Sequence, residues 1–289
     1  MPGSPITHAF VVLLATLSVA CGGGDTDIVK LFVLDGGTLH VSDPSRFQLK
    51  REDVAELDLA VACYLVVHPK GVLLWDACAV PDSEWTPTGS PVKHHLVLPD
   101  SQERDVTLTQ PVTAQIAAAG YAAGDITHFA LSHYHYDHTG NANLFANAAW
   151  LVQKIERDAM FGTPTPGVTR ISTYESLRNS RVISVEGDEH DVFGDGTVVI
   201  KAARGHTPGH QVLYVKLPKT GDVVLAGDLY HYTQERTLDR VPTFEFDAQQ
   251  TRAARKALDE FLRKTNAQLW IQHDFTAHKN LKKAPEYYE

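Results

Sequence analysis

Apolar residues run in short stretches along most of the chain, and the stretches fall into two sets. Ile28–Leu34, Leu59–Val67 and Val72–Trp75 are rich in Val and Leu and are predicted as strands. Ile126–Leu131 is a further short strand, and Val182–Val185, Val192–Phe193, Val198–Ala203 and Val212–Leu217 make the second set. Between them the apolar period changes from two to that of a helix. Thr109–Ala119, ended by Gly120, is a predicted helix, as are Asn141–Ala146 and Lys154–Met160. The clearest helix is Phe246–Lys264. Asp247 and Gln250 form a pair like a capping box, and Ala254, Ala257, Leu258, Phe261 and Leu262 make one apolar stripe. Two sets of strands with helices among them predict an α/β sandwich.

The short strand at Ile126–Leu131 runs into Ser-His-Tyr-His-Tyr-Asp-His-Thr-Gly at 132–140. If the segment starts on a strand, His133 and His135 share one face of it, since side chains alternate with period two. If the chain turns at Tyr136, Asp137 and His138 swing back to the same point. Three imidazoles and a carboxylate so close together offer two adjacent cation sites, and these ligand types suit zinc and similar divalent metals.

Three later segments supply further ligands. Gly205-His206-Thr207-Pro208-Gly209-His210 follows the apolar run Thr197–Ala203. Val223–Leu225 leads through Ala226 and Gly227 to Asp228, and Gln268–Ile271 leads through Gln272 to His273. Each puts a candidate ligand where an apolar strand runs out.

This pattern resembles the metallo-β-lactamase superfamily, over roughly residues 28–289, and within it most resembles the N-acyl homoserine lactonases. Cys63–Val67 with Gly71–Asp76 resembles the early hairpin of those enzymes. His206–Gln211 reads His-Thr-Pro-Gly-His-Gln as theirs does, His273-Asp274 matches their His-Asp pair, and Lys282–Tyr288 resembles their Pro-Glu-Tyr tail.

The resemblance implies an αββα sandwich with a dinuclear metal site at its edge. It implies that His133, His135 and His206 hold one ion, that Asp137, His138 and His273 hold the other, and that Asp228 bridges them. Two divalent ions, zinc by ligand type, would then acidify a shared water for attack on a lactone carbonyl. Asp137 or a water would protonate the ring oxygen as it leaves. No Gly-x-Ser-x-Gly nucleophile elbow is present.

The chain departs from the family at one position. The lactonases carry a Tyr three residues after the bridging Asp, and here that residue is His231, flanked by Tyr230 and Tyr232. Any of the three is a competent oxyanion donor. Trp85, Leu96, Leu98, Met160 and Phe161 are candidates for an acyl pocket, and Pro81–Pro99, rich in Pro, Ser and Gly, for a lid or dimer arm. Asp228 counts against a class B3-like β-lactamase, whose members generally lack the bridging Asp. Hydrolysis of another lactone, and a zinc-binding surface lipoprotein, are the other readings.

Composition narrows the partners. At 289 residues, 43% hydrophobic and 21% charged, the chain is long enough for one sizeable core. A net charge of −9 argues against a nucleic-acid partner, which demands a basic stripe. The expected partner is a small lactone. Ala9–Ala20 suits the core of a signal peptide, with Cys21 as a lipoprotein-type acylation site and Gly22–Asp25 as linker. No Lys or Arg precedes Lys30, and Ser18 stands where Leu is usual. The expectation is a leader over 1–24 and export to the periplasm or envelope, with membrane contact only through the lipid. Cys63 and Cys78 fall on a diagonal of the expected hairpin, which predicts two buried free thiols.

Overall fold

A computed structural model describes residues 28–86, 91–98 and 101–289, together with Met1 and Gly3. The expected leader and Cys21 lie outside the described residues. The chain builds two sheets. The larger contains β1 (Lys30–Leu39), β2 (Leu59–His68), β3 (Gly71–Trp75), β4 (Val92–Val97), β5 (Glu103–Leu108), β6 (His128–Ala130), β7 (Ala149–Val152) and β8 (Val182–Ser184), in the order β4-β5-β1-β2-β3-β6-β7-β8. The smaller contains β9 (Glu189–Asp191), β10 (Val198–Ala202), β11 (Gln211–Val215), β12 (Val223–Leu225) and β13 (Gln268–Trp270), in the order β13-β12-β11-β10-β9. The helices are α1 (Val112–Ala118), α2 (Tyr136–Thr139), α3 (Lys154–Met160), α4 (Thr233–Thr237), α5 (Ala248–Thr265) and α6 (Phe275–Asn280).

Alternation along the strands sorts the side chains into layers. Leu31 and Val33 of β1, Tyr64 and Val66 of β2, and Leu73 and Trp75 of β3 face the second sheet. There they meet Val198, Ile200, Leu213, Val215, Val223 and Leu225. Their neighbours Phe32, Leu34, Val61, Leu65 and Leu74 face the other way, onto Val112 and Ile116 of α1. On the far side of the second sheet Val212, Tyr214 and Val224 pack against Leu258 and Leu262 of α5. The result is the four-layered αββα arrangement.

Several boundaries differ from the sequence reading, each for a local reason. Asn141–Ala146 is a tight 3-10 turn, Ala142–Phe145, rather than an α-helix. Helix α1 begins only after Pro111, which has extended backbone and ends the preceding loop. The strand expected at Val192–Phe193 lies earlier, at Glu189–Asp191, where it pairs with β10. Part of Pro81–Pro99 is regular: Val92–Val97 pairs antiparallel with β5. In α5 the N-cap is Asp247, whose side chain accepts from the Gln249 and Gln250 amides. Its buried stripe is Thr251, Arg255, Leu258 and Leu262, with Ala257 exposed. The helix has turned toward two polar residues that hold loops near the site.

The two cysteines correct a prediction. Cys63 and Cys78 form a disulfide with Cα atoms 5.6 Å apart. The hairpin register is as expected, Val67 opposite Val72 and Tyr64 opposite Trp75. The strand ends at Trp75, however, and Asp76 and Cys78 take left-handed backbone, φ 61° and 55°. That turn carries Cys78 off the diagonal and back onto Cys63.

Candidate active site

Four chain segments leave the sheets at one end of the sandwich and meet there. The first follows β6 and carries His133 and His135, then α2 with Asp137 and His138. The second, between β10 and β11, carries His206. The third follows β12 and carries Asp228, and the fourth follows β13 and carries His273. All seven side chains are buried. They gather into two groups, His133, His135, His206 and Asp228 in one and Asp137, His138 and His273 in the other, with potential ligand atoms within 4.8 Å of one another in each.

Asp228 lies between the groups. Its Oδ2 is 3.5 Å from His133 Nε2 and 3.3 Å from His206 Nε2. Its Oδ1 is 3.0 Å from both His138 Nε2 and His273 Nε2. His273 Nε2 is also 3.7 Å from Asp137 Oδ2, and His135 Nδ1 is 3.0 Å from His206 Nε2.

The inward nitrogens are those left over by hydrogen bonds behind the rings. His138 Nδ1 pairs with Asp76 Oδ2 at 2.9 Å, and His206 Nδ1 with Glu245 Oε1 at 2.8 Å. His273 Nδ1 donates to the Ala60 carbonyl at 2.6 Å, and His133 Nδ1 is 3.0 Å from Ser132 Oγ. His133 Nε2, His138 Nε2 and Asp228 Oδ1 have no hydrogen-bond partner among the described residues although all are buried. Buried polar atoms without partners are costly. Here imidazole and carboxylate atoms converge on one point, and rings held from behind by carboxylate or carbonyl are what metal-binding histidines need. The donor set fits two divalent metal ions.

The electrostatics point the same way. Burial opposes charge on His206, but Glu245 and Asp228 raise its pKa to about 9. Burial likewise opposes charge on His231, and Glu235 and Asp228 raise it to about 10. Burial would raise the Asp228 carboxyl, yet the surrounding imidazoles, His273 foremost, hold it well below the usual carboxylate range. Buried carboxylates here call for positive charge, which cations supply.

Of the donor candidates, His231 turns into the site. Its Nε2 is 3.2 Å from Asp228 Oδ2 and its Nδ1 is 3.2 Å from Glu235 Oε1. Tyr230, another of the candidates, turns away from it. The backbone is extended at Tyr230 and Tyr232, so successive side chains turn to different sides. Tyr230 packs with Leu258 and Leu262 under the Arg255 guanidinium, 4.2 Å from its ring centre. Tyr232 donates its hydroxyl to the Leu57 carbonyl at 2.6 Å.

A cleft of about 330 Å³ opens onto Asp137, Asp228, His231 and His273. Leu39, Val41, Phe47, Leu59, Val168 and Phe244 supply its apolar wall, and Arg46 and Arg104 also line it. The residues expected to form an acyl pocket are elsewhere. Leu96, Leu98 and Met160 are buried in the core, and Trp85 and Phe161 pack against it. Leu96 lies in β4 and Met160 ends α3, so both point into the core from regular elements too short to show a period.

Sequence reasoning missed the supporting residues. Asp76, Gln272 and Ser132 surround His138, and Gln272 Nε2 donates to Asp76 Oδ2 at 2.7 Å. His210, beside the ligand motif, accepts the Asp228 amide at 2.9 Å. Glu156 joins two ligand loops, accepting from the Tyr134 amide at 2.9 Å, Thr207 Oγ1 at 2.9 Å and the Gly209 amide at 2.7 Å. Only the carboxylate at the end of strand β3 had a readable signal, its position after an apolar run.

The chain matches the metallo-β-lactamase superfamily over residues 57–267. It is 28% identical over 271 residues to the N-acyl homoserine lactonase AttM of Azorhizobium caulinodans, covering 91% of this chain and all of that one. It is 32% identical over 234 residues to an N-acyl homoserine lactonase of a Bacillus species, covering 80% of this chain and 88% of the other. In fold it is similar to an N-acyl homoserine lactone hydrolase solved with N-hexanoyl-L-homoserine at its catalytic metal centre. The TM-score is 0.72 at 23% identity, covering 90% of this chain and 99% of that one. It is also similar to AidC, a dizinc quorum-quenching lactonase, with a TM-score of 0.61 at 20% identity, covering 91% of this chain and 94% of that one.

Glu156 yields a pH prediction. Burial pushes its carboxyl from 4.5 up to about 7, against the lowering effect of the Gly209, Thr207 and Tyr134 hydrogen bonds. The native state therefore holds this proton more tightly than the unfolded chain. Its contribution is full below about pH 4.5 and is lost as pH rises through about 7. In urea denaturation of metal-free protein, the stability of wild type relative to Glu156→Gln should fall by up to about 3 kcal/mol between about pH 4 and pH 8. A pH-independent difference would show that the carboxyl keeps its ordinary value. The chain belongs to the metallo-β-lactamase superfamily and, within it, to the family of the N-acyl homoserine lactonases.

Proposed function

We propose that the protein is a metal-dependent hydrolase that opens the ring of N-acyl homoserine lactones, and so a quorum-quenching enzyme. The observation that carries the reading is Asp228, whose two oxygens each face one of the two ligand groups. Relatives named as N-acyl homoserine lactonases match over nearly the whole chain and support the substrate class. In this reading His133, His135 and His206 hold one ion, Asp137, His138 and His273 the other, and Asp228 both. Zinc is the ion we propose, from the imidazole and carboxylate donors.

When bound, such a metal pair lowers the pKa of water and polarises a carbonyl. The chain's own residues do the rest. Phe47, Phe244 and Leu59 wall the cleft and exclude water around the lactone. Glu235 holds His231 by Nδ1, which leaves Nε2–H turned toward Asp228 and the cleft. There it donates to the oxygen that gains charge as the carbonyl is attacked. Asp137 lines the same cleft and carries the proton that the ring oxygen takes up on leaving.

We further propose that the protein is exported, with residues 1–24 as leader, residues 28–289 as one catalytic domain, and Cys21 as the lipidated residue. Support comes from the buried Cys63–Cys78 disulfide, a bond that persists in oxidising compartments. Mass spectrometry of the protein from its native host should find a mature N-terminus at or near Cys21. Soluble cytoplasmic protein that retains Met1–Ala20 would contradict the proposal.

Metal analysis of the purified protein should return about two ions per chain, and Asp228→Ala should lose at least one of them with nearly all activity. A panel of short- and long-chain acyl homoserine lactones, an unsubstituted γ-lactone, a cephalosporin and a thioester tests the substrate. The product expected is the acyl-homoserine, which closes again in acid. Release of a fatty acid, or preference for the cephalosporin, would overturn the reading. Replacing His231 with Ala should lower turnover by about 10²–10³ with metals retained, while Tyr230→Phe should change little. An unchanged His231→Ala rate would remove it as the donor.

A further inference from the structure

The Cys63–Cys78 disulfide sits directly behind one of the two ligand groups. Cys78 is two residues beyond Asp76, whose Oδ1 accepts the Ser132 amide at 2.6 Å and whose Oδ2 pairs with His138 Nδ1 at 2.9 Å. The segment between the two residues carries α2 on its back. The Ala77 amide donates to the His138 carbonyl at 2.7 Å, and the Gly140 amide to the Cys78 carbonyl at 2.6 Å. Contact there is so close that a β-carbon on Gly140 would lie 2.6 Å from the Cys78 oxygen. Asn141 closes the arrangement, its side chain donating to the Ala77 and Val80 carbonyls.

The other end of the bond reaches the same group. Cys63 lies in β2, and the neighbouring carbonyls of that strand anchor the segment after β13. Ala60 accepts from His273 Nδ1 and Ala62 from Gln272 Nε2. Strand β2 thus holds His273 by its backbone and, through the disulfide, the segment that orients His138. The other group meets this turn less directly: His133 is reached through Ser132, whose amide Asp76 accepts, and among the described residues His135 and His206 have no such tie. The support of that group comes from Ser132, Glu245 and the loops joined by Glu156.

Both Asp76 and Cys78 have left-handed backbone, φ 61° and 55°. Residues with a β-carbon disfavour that region, and glycine does not. A covalent tie to β2 is one way to hold such a turn in place.

We propose that the Cys63–Cys78 disulfide is a positioning element for the metal subsite of Asp137, His138 and His273, fixing the Asp76–Cys78 turn on which His138 is oriented. The inference rests on the two-metal reading above. It concerns first the subsite whose imidazoles the turn and β2 hold directly, and that selectivity separates positioning from general stabilisation.

The test follows release of the ions into a chromogenic chelator from wild type, Cys63→Ala/Cys78→Ala and Cys63→Ala/Cys78→Gly. Wild type should release two ions slowly. In the double-Ala variant one ion should leave about ten- to a hundredfold faster, the range for loss of a group that orients a ligand, and the other at the wild-type rate. The fast phase should match that of His273→Ala, which marks the subsite. Glycine at 78 accepts the turn without the tie, so the Ala/Gly variant should recover much of the slow release. Equal acceleration of both ions, or a lowered Tm with both released as in wild type, would overturn the proposal. If the variants do not fold, wild type is reduced under native conditions and its free thiols are counted. One fast-released ion should then appear with two thiols beyond any from Cys21, and those two thiols with both ions still slow would overturn the proposal. A wild-type protein that binds no metal would instead overturn the hydrolase reading itself.

Discussion

The rest of the site depends on one carboxylate with two faces. Asp228 Oδ1 meets His138 and His273, and Oδ2 meets His133 and His206. An aspartate can span two groups of ligands only if its backbone is fixed. That is done by the position just beyond β12 and by the Asp228 amide, which donates to His210 Nε2. Gly227 has φ 50°, and a β-carbon there would meet His210 and Ser132 below 3 Å. The chain can therefore bring Asp228 this close to the motif after β6 only with glycine before it.

Much of this was legible in the sequence. The His-x-His-x-Asp-His run could be read because strand alternation and one turn make its side chains converge. His206, Asp228 and His273 could be read because apolar strands end beside them. The sandwich followed from two sets of strands. Other features depend on geometry that period and composition do not carry. The disulfide arises from left-handed backbone at both Asp76 and Cys78, and cysteine has no preference for it. The cleft wall is drawn from β1 and the segment after it, the motif around α2, and Phe244. These are far apart in sequence and share no pattern. Thr251 and Arg255 entered the buried stripe of α5 because their polar ends find partners in Glu245 and Glu235, which a count of apolar residues misses.

Those partners explain how so many ionisable groups are buried together. Arg255 pairs with Glu235, Glu235 with His231, and His231 with Asp228. The row alternates in sign, and each member is buried. A lone buried charge costs several kcal/mol, and neighbours of opposite sign with hydrogen bonds offset that cost. Arg255 spends its remaining donors on the Leu229 and Arg240 carbonyls, so the outer end of the row is tied to the backbone. Orientation is thereby passed from α5 to the imidazole.

This row also accounts for a buried histidine that keeps its proton at 231. A phenol needs no counter-charge when buried, whereas an imidazole that is to keep its proton does. Burial alone would strip the proton from His231, and Glu235 reverses the balance. Glu235 would be costly without Arg255, and Arg255 in turn occupies a core position of α5, over the ring of Tyr230. The orientation of His231 is thus tied to Glu235 on α4 and, through it, to Arg255 on α5. Tyrosine at 231 would break the ion pair with Glu235 and leave that carboxylate facing Arg255. His231 and its support form one unit, and the fold carries them together.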